Sequence, residues 1–319
     1  MDSSRLVSAL REAIDASRVQ AGAELSAFTT LRVGGPAAAL VRAESPQDLE
    51  AVARVARAVG CAWLVIGKGS NLLVADEGWP GIAVVLGRGF RGVDIDGAQV
   101  RAGAAEPMPV LAQHVARHGL GGLAFGVAIP GTVGGAVRMN AGAHGGELAE
   151  VLEWAEVARM GADGALERWD SPRLGFGYRH SELAADAIVT RVQLRLRPAD
   201  AGTVAADMAE MRQWRRDHQP INQPSCGSVF RNPPGDSAGR LIEAAGLKDL
   251  RIGGAQISRR HANFITASRD ARAADVYQII RTAQRRVRET AGVQLQTEVV
   301  LAGFPSLVNE RSGSAEVWQ

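Results

Sequence analysis

The sequence contains few cysteines: Cys61 and Cys226 are the only two among 319 residues, and two thiols make no disulfide framework. It lacks an apolar run of about eighteen residues that could cross a membrane, and the charged stretch Met1–Gln20 has no apolar signal core. The net charge of only +2 argues against a broad electrostatic attraction to nucleic acid or to a membrane surface. These absences predict a cytoplasmic protein with reduced thiols, with neither nucleic acid nor membrane as a partner.

The length of the chain, 319 residues, is sufficient for two or three domains. Strand-like and helix-like segments alternate over roughly the first seventy residues, which predicts a small α/β unit. Residues 151–197 are strand-like, and Pro198 with the following Asp200-Ala201-Gly202 indicates a boundary near residue 200. A second α/β unit is predicted beyond that boundary.

Apolar residues at helical spacing and capping signals predict the helices of both units. The predicted helices cover residues 4–18, the segment from Ser45 to Gly60, Pro109–His118, Val204–Arg216, Ala238–Ala245 and Arg269–Thr290. A hairpin is predicted around Asp96-Gly97 and a final strand over Val293–Leu301. The polar end Asn309–Gln319 is expected to be frayed.

The segment Gly87–Gly92 matches the glycine pattern of a dinucleotide-binding fingerprint. That fingerprint works only when a helix begins directly after it, because the helix N-terminus must face the pyrophosphate. Here Val93–Gly97 follows, which reads as strand and turn. A Rossmann site is therefore not expected, and the chain has no Walker loop either.

The loop Gly67–Asn71 follows a predicted buried strand, where backbone amides can converge on an anion. Its two glycines permit positive φ and close backbone approach, and Lys68 adds a positive charge. Taken alone, the loop is better explained as a tight turn between two strands.

The segment Ile129–Asn140 is long, apolar and interrupted by glycines, which remove side chains from the backbone surface. Such a surface suits a flat, bulky ligand that lies against the backbone. A structural loop is the alternative.

Three residues have chemistry-bearing side chains in unusual surroundings. Arg179 follows an aromatic turn, Ser228 lies among small residues that lead into a strand, and Glu298 interrupts an apolar segment. Each also has an ordinary explanation, as a surface arginine, a turn serine and a glutamate that faces solvent by alternation.

Together these segments resemble the UDP-N-acetylenolpyruvoylglucosamine reductases of bacterial cell-wall synthesis, in the shorter type that lacks a tyrosine-bearing loop. The resemblance covers roughly residues 22 to 303. The segments that carry it, in chain order, are Thr30–Gly35, Gly67–Val74, Ile129–Ala143, Phe176–Ser181, Ser225–Asn232, Ala238–Ile242 and Thr297–Val299.

The resemblance implies an α+β fold, in which a vanillyl-alcohol-oxidase-like FAD-binding domain precedes a C-terminal α/β substrate-binding domain. The implied divisions are an N-terminal helix (1–21), an FAD-binding domain (22–200, with subdomains of about 22–88 and 89–200), a substrate-binding domain (201–303) and a C-terminal tail (304–319). A monomer is expected.

The resemblance also implies the reaction. NADPH reduces FAD, and the flavin reduces the enolpyruvyl group of a UDP-sugar to give UDP-N-acetylmuramate. Arg179, Ser228 as proton donor and Glu298 are the implied catalytic residues. An FAD-dependent oxidase or dehydrogenase of the same fold with another substrate is the alternative, and a non-catalytic nucleotide-sugar binding protein is a third.

The remaining implied site residues fall into two groups, and no metal is expected. Those for FAD are Gly34, Gly67, Lys68, Gly69, Ser70, Asn71, Ile129, Pro130, Gly131, Thr132, Gly134, Gly135 and Ala136. Those for the substrate are Asn140, Tyr178, Asn232, Lys248, Gln256 and His261. Lys68 and Arg138 depart from the family, which usually has a glycine and often an aromatic residue at these positions.

Overall fold

The computed structural model describes residues 2–304. Its helices are α1 (Ser3–Ala13), α2 (Pro46–Val59), α3 (Met108–Arg117), α4 (Val133–Arg138), α5 (Ala201–His218), α6 (Ala238–Ala244) and α7 (Ala273–Ala291). Its strands are β1 (Val19–Glu24), β2 (Pro36–Ala43), β3 (Trp63–Ile66), β4 (Leu72–Val74), β5 (Trp79–Leu86), β6 (Val93–Asp96), β7 (Gln99–Gly103), β8 (Leu120–Gly121), β9 (Gly142–Ala143), β10 (Gly146–Glu147), β11 (Leu152–Arg159), β12 (Ala165–Asp170), β13 (Ala187–Arg195), β14 (Arg197–Pro198), β15 (Arg251–Ile252), β16 (Ala255–Ile257), β17 (Ile265–Ala267) and β18 (Val300–Ala302). The predicted α+β class is confirmed.

The first sheet has the strand order β1-β2-β5-β3, with β2 and β3 parallel to β5. Helix α2 connects β2 to β3 and begins where the sequence predicts. Ser45 accepts a hydrogen bond from the Asp48 amide, and the Asp48 carboxylate accepts one from the Ser45 amide. The helix ends at Gly60, whose φ of 66° is left-handed. The local capping chemistry therefore fixes both ends of this helix.

The second sheet is antiparallel throughout and has the order β12-β11-β13-β7-β6. The predicted hairpin joins β6 to β7, and Gly97 at its tip has a φ of 56°. Helices α3 and α4 contribute to the apolar core beneath this sheet. Val204 and Met208 of α5 belong to the same core, so α5 packs with elements that precede residue 200. The domain boundaries stay a prediction.

The third sheet, β15-β16-β17, packs with α6 and α7. Its core includes Leu31, Val33 and Leu73 from the first part of the chain. In addition, β18 pairs in parallel with β4. The last described strand is therefore anchored beside the loop that precedes β4.

Several element predictions are wrong in extent. The first helix ends at Ala13, before Asp15 caps a short 3₁₀ turn, and the long helix begins at Ala273 rather than at residue 269. The predicted strand Val293–Leu301 is reduced to β18, because the amides of Glu298 and Val299 both donate to the carbonyl of Val229 instead of a regular ladder. Within the glycine-rich segment Ile129–Asn140, residues 133–138 form α4.

The predicted C-terminal tail from Asn309 to Gln319 lies outside the described residues. Between residues 2 and 304, no helix combines the length and apolarity needed to cross a membrane.

Asp76, in the loop after β4, caps α7 from a distant part of the chain. Its carboxylate accepts hydrogen bonds from the amides of Ala273 (2.8 Å) and Ala274 (3.0 Å). We expect Asp76→Ala to lower the free energy of unfolding by about 1–2 kcal/mol, because the first amides of α7 lose their acceptor. Chemical denaturation of the flavin-free chain measures this, with Asp76→Asn as an intermediate variant. A free energy within about 0.5 kcal/mol of the parent chain would contradict the capping role.

Candidate active site

A cavity of about 370 Å³ lies between the first and second sheets. Its walls come from the ends of β2, β3 and β5 on one side and from α4 and β13 on the other. The residues that line it include Phe28, Thr29, Arg42, Ile66, Gly67, Lys68, Leu86, Arg91, Thr132, Gly134, Gly135, Arg138, Ile188 and Val189. The lining contains four cationic side chains and no acidic one, which suits an anionic ligand with an extended apolar part.

The glycines of the loop Gly67–Asn71 allow it to pack tightly around this cavity. A Cβ atom at Gly67 would lie 2.6 Å from the Oγ1 of Thr132, and one at Gly69 would lie 2.1 Å from the carbonyl oxygen of Phe28. Gly69 also has a φ of 59°. Side chains at these positions would force the loop away from its neighbours, so the backbone itself forms the wall. These residues fit the pyrophosphate of FAD.

The predicted FAD residues fall into two sets in the structure. The positions that line the cavity are Gly67, Lys68, Thr132, Gly134 and Gly135. The positions that the cavity lining does not include are Gly34, Gly69, Ser70, Asn71, Ile129, Pro130, Gly131 and Ala136.

Gly34 and Asn71 have other roles in the structure. A Cβ at Gly34 would lie 2.7 Å from the Cβ of Val74, so Gly34 permits close packing on β4. The side-chain amide of Asn71 donates to the backbone carbonyl of Glu298 at 3.0 Å. The prediction of direct cofactor contact is therefore weakest at these two positions.

Arg138 is largely buried at the cavity. Its guanidinium donates to the carbonyls of Leu183 (2.7 Å), Ala184 (3.1 Å) and Ala187 (2.6 Å). Burial lowers the pKa of Arg138 to about 10, with Asp186 opposing the shift, so the group stays charged near neutral pH. The guanidinium thus holds the entry to β13 against α4.

Arg179 is the second residue of a two-residue turn closed by hydrogen bonds between Gly177 and His180. Its φ of 54° is in the left-handed region, which glycine or asparagine usually occupies in such turns. This conformation points the guanidinium towards the carbonyl of Gly142 (2.8 Å) and the carboxylate of Glu298 (Nε–Oε1 3.4 Å). A strained backbone at a charged residue is typical of functional sites.

Ser228 and Glu298 lie on two segments that run side by side. The amide of Glu298 donates to the carbonyl of Val229 at 2.8 Å, and Phe230 forms a bridge with Thr297. Asn263 holds this arrangement because its side chain exchanges two hydrogen bonds with the backbone of Phe230. The structure therefore brings Arg179 and Glu298 into contact and places the segment of Ser228 beside that of Glu298.

The carboxyl group of Glu298 is largely removed from water, since its side chain is only 16% exposed. This burial raises the pKa of Glu298 above its ordinary value, although the positive charges of Arg179 and Arg231 lower it in part. Burial outweighs the two cations because the contact with Arg179 is long for a charge-assisted hydrogen bond. The site therefore favours a protonated Glu298 more than solvent does.

Arg231 is a site residue that the sequence interpretation missed. It lies near Glu298, and its amide donates to the carbonyl of Gln296. Among the described residues, its buried Nε has no hydrogen-bond partner. An arginine three residues after a candidate proton-donating serine would have been the signal in the sequence, and it is a weak one.

The hydroxyl of Ser228 makes no hydrogen bond to any group of residues 2–304, so it is available to a ligand. The neighbouring Cys226 is buried, and this burial raises the pKa of its thiol to about 12. Cys226 is therefore an inert packing residue, and within this segment Ser228 is the side chain suited to proton transfer.

Asn140 has a different role from the predicted one. It is fully buried, its side-chain nitrogen donates to the carbonyl of Gly177, and its side-chain oxygen accepts from the amide of Ala149. We therefore replace the predicted substrate contact by a structural role, in which Asn140 fixes the turn that carries Arg179. Tyr178 is 53% exposed, and its ring lies 5.2 Å from the Arg179 guanidinium.

The other predicted substrate residues are grouped around α6. Asn232 caps this helix by accepting from the amide of Ala238, and the His261 ring lies beside Gly239. Lys248 forms an ion pair with Glu243 of α6 at 2.8 Å, and Gln256 donates to Asp249. Their substrate contacts stay a prediction, and each already has a protein partner in the structure.

Comparisons with known proteins bear on both halves of the chain. Residues 36–169 match the model of an FAD-binding domain family, and residues 219–302 match that of the UDP-N-acetylenolpyruvoylglucosamine reductase C-terminal domain. Two curated relatives named UDP-N-acetylenolpyruvoylglucosamine reductase come from Symbiobacterium thermophilum and Heliobacterium modesticaldum. The first is 43% identical over 91% of this chain and 94% of its own, and the second is 44% identical over 88% and 89%.

A crystal structure of the UDP-N-acetylenolpyruvylglucosamine reductase from Thermus caldophilus is also similar to this chain. The two share 43% sequence identity and superpose with a TM-score of 0.78, over 89% of this chain and 99% of that one.

Removing the positive charge of Arg179 should raise the pKa of Glu298 further, because this guanidinium stabilises the ionised carboxylate. We expect the Arg179→Gln variant to keep Glu298 protonated to a higher pH than the parent chain does. The titration is followed by NMR of the chain labelled with ¹³C at the glutamate carboxyl carbons, with Glu298→Gln to assign the signal. Arg168→Gln, at an exposed ion pair with Asp170, is the control. An unchanged or lower Glu298 pKa in Arg179→Gln would contradict the electrostatic coupling.

A methyl group at Gly67 should weaken FAD binding, because its Cβ would displace the Thr132 side chain from the cavity wall. We expect Gly67→Ala to be purified with little bound flavin and to bind added FAD at least about tenfold more weakly. Titration of flavin fluorescence measures this. Gly202→Ala, on the exposed first turn of α5, is the control and should bind like the parent. Equal FAD affinity of Gly67→Ala and the parent chain would rule out this loop as a cofactor wall.

Proposed function

Because the chain belongs to the UDP-N-acetylenolpyruvoylglucosamine reductase family, we propose that Arg179, Ser228 and Glu298 are its catalytic residues. The protein is an FAD-dependent oxidoreductase of peptidoglycan precursor synthesis. It reduces UDP-N-acetylglucosamine enolpyruvate to UDP-N-acetylmuramate with NADPH. The observation that supports the assignment of residues is the contact of Arg179 with Glu298 beside the segment of Ser228.

The cavity residues of the loop Gly67–Asn71 and of α4 would hold FAD. When bound, FAD would supply hydride transfer, that is, two electrons and one proton that originate from NADPH and are passed to the terminal alkene carbon of the enolpyruvyl group. Lys68 and Arg42 would balance the charge of its pyrophosphate, since both line a cavity without acidic groups.

Arg179 would bind the carboxylate of the enolpyruvyl group. Negative charge that develops on the carbon next to the terminal carbon spreads into this carboxylate, as in an enolate. A guanidinium held in a fixed turn can stabilise that charge without reorganising. The unpartnered Nε of Arg231 offers a second donor to an anionic part of the substrate.

Ser228 would complete the reduction by transferring its hydroxyl proton to the carbon next to the terminal carbon. Serine is a weak acid, but an enolate-like carbon is a strong base, and positioned proton transfer contributes about 10²–10⁴-fold in rate. The serine oxygen then regains a proton from solvent. The hydroxyl is free for this purpose because no described protein group hydrogen-bonds to it.

Glu298 would act as a hydrogen-bond donor in its protonated form. An ionised carboxylate would repel the enolate, whereas the raised pKa of Glu298 supports the neutral form. Infrared difference spectroscopy of the ligand complex tests this, with Glu298→Gln to assign the band. An ionised Glu298 near neutral pH would overturn the proposed role.

A monomeric state and a cytoplasmic location belong to the proposal. The free thiols of Cys61 and Cys226 are compatible with a reducing compartment.

The substrate assignment is tested by measuring NADPH oxidation with and without UDP-N-acetylglucosamine enolpyruvate. We expect turnover that depends on this substrate. Turnover with oxygen alone would favour the alternative, an oxidase or dehydrogenase of the same fold. A protein that stays colourless after FAD is added would contradict both.

Loss of the Ser228 hydroxyl should separate the two halves of the reaction. We expect Ser228→Ala to permit reduction of the flavin by NADPH at the parent rate, while turnover with the enolpyruvyl substrate falls by about 10²–10⁴-fold or more. Stopped-flow absorbance of the flavin measures both steps. Ser228→Cys, which retains an acidic hydrogen, should recover part of the loss. Loss of both halves in Ser228→Ala would contradict the proton-donor role.

A further inference from the structure

Thr30 lies between the cofactor cavity and the segment of Ser228. It directly follows Phe28 and Thr29, which line the cavity, and its amide donates to the carbonyl of Gly69 at 3.1 Å. Its hydroxyl lies 2.6 Å from the carbonyl of Ser225 and 3.3 Å from that of Gly69. A hydroxyl has one proton, so the shorter contact identifies Ser225 as the main acceptor.

The contact between these segments has a second, backbone component. The amide of Ser225 donates to the carbonyl of Thr30 at 3.2 Å. Thr30 therefore exchanges hydrogen bonds with Ser225 on one side and binds the cavity loop on the other.

The four residues from Ser225 to Ser228 are closely packed, so a displacement of Ser225 would also displace Ser228. Cys226 is buried, and a Cβ at Gly227 would lie 3.6 Å from the carbonyl oxygen of Ser70. The amide of Val229 donates to the carbonyl of Asn263. The segment that contains Ser228 is thus held on one side by Thr30 at Ser225 and on the other by Asn263 at Val229.

Asn71 makes the corresponding link to Glu298. Its side-chain amide donates to the carbonyl of Glu298 at 3.0 Å, and its own carbonyl accepts from the amide of Val300 at 3.1 Å. The loop that contains Gly67 and Lys68 at the cavity is therefore hydrogen-bonded to the backbone of the catalytic glutamate.

We propose that Thr30 and Asn71 are positioning residues, which tie the cofactor loop to the segments of Ser228 and Glu298. Filling the cavity with FAD then orders the proton-transfer groups, although neither positioning residue touches the reacting atoms. The inference rests on the proposed catalytic role of Ser228 and Glu298. It assigns a positioning role to Thr30 of the Thr30–Gly35 motif. It also assigns to Asn71 a hydrogen bond to the backbone of Glu298 in place of direct phosphate contact.

Hydrogen exchange of the flavin-free and FAD-loaded chain tests the link without using activity. In the parent chain, we expect FAD to slow amide exchange in residues 225–231 and 296–300, beyond the cavity lining. Thr30→Val removes the hydroxyl at nearly constant size. We expect it to reduce the FAD-induced slowing of amide exchange in residues 225–231 by about five- to tenfold, because one net hydrogen bond changes an equilibrium by about that factor. Thr30→Ser retains the hydroxyl and should restore it.

The Asn71→Leu variant should lose the FAD-induced slowing of amide exchange in residues 296–300 to the same extent. The Thr30 variants should bind FAD within about threefold of the parent affinity, because Thr30 does not line the cavity. The proposal is overturned if FAD slows exchange in 225–231 equally in Thr30→Val and in the parent, or leaves that segment unchanged in the parent.

A kinetic measurement separates this inference from the proposed function. In Thr30→Val, we expect flavin reduction by NADPH at the parent rate and a substrate half-reaction slowed by about 10- to 100-fold, because a small displacement of Ser228 is sufficient for that loss. Thr30→Val should add no further loss to Ser228→Ala. Thr290→Val removes an exposed hydroxyl that donates to Arg286 and should behave like the parent.

The outcomes judge the two proposals separately. A Ser228→Ala variant that turns over the enolpyruvyl substrate at the parent rate would refute the catalytic role of Ser228. The exchange data test the hydrogen-bonded link through Thr30 without using activity. A Thr30→Val variant that slows both half-reactions equally would refute the positioning role.

Discussion

The contact between Arg179 and Glu298 depends on most of the molecule. Arg179 comes from a turn beside the second sheet, while Glu298 precedes the last described strand and is held by Val229 and Asn71. The apolar cores of the second and third sheets must be in register for these two side chains to meet. The arrangement places a carboxyl group of raised pKa beside a fixed cation, which a solvent-exposed ion pair could not provide.

Local chemistry explains which parts of the fold could be predicted from the sequence. Helix α2 was predictable because the Ser45 cap and Gly60 act within a few residues of the ends they define. The segment Val293–Leu301 reads as a strand by apolar content, but the carbonyl of Val229 attracts two successive amides and interrupts the ladder. That acceptor is distant in sequence, so no local pattern reveals it.

The site shows the same division. The order of the motifs predicts Arg179, Ser228 and Glu298 as catalytic residues and the loop Gly67–Asn71 as a cofactor loop, and Gly67 and Lys68 of this loop line the cavity. The sequence could not show that the side-chain amide of Asn140 donates to the backbone carbonyl of Gly177, or that Arg231 lies near Glu298. In each case the residue type is compatible with ligand binding, and only the long-range packing decides which partner it has.

The left-handed backbone of Arg179 lowers the stability of the fold at a position whose side chain we propose to be catalytic. A non-glycine residue in this conformation carries about 1–3 kcal/mol of strain, which the surrounding turn must offset. Glycine or asparagine at position 179 would relieve that strain and favour the same turn, yet either would remove the guanidinium. Laboratory selection for heat resistance alone would therefore favour glycine or asparagine here, at the expense of the guanidinium that contacts Glu298.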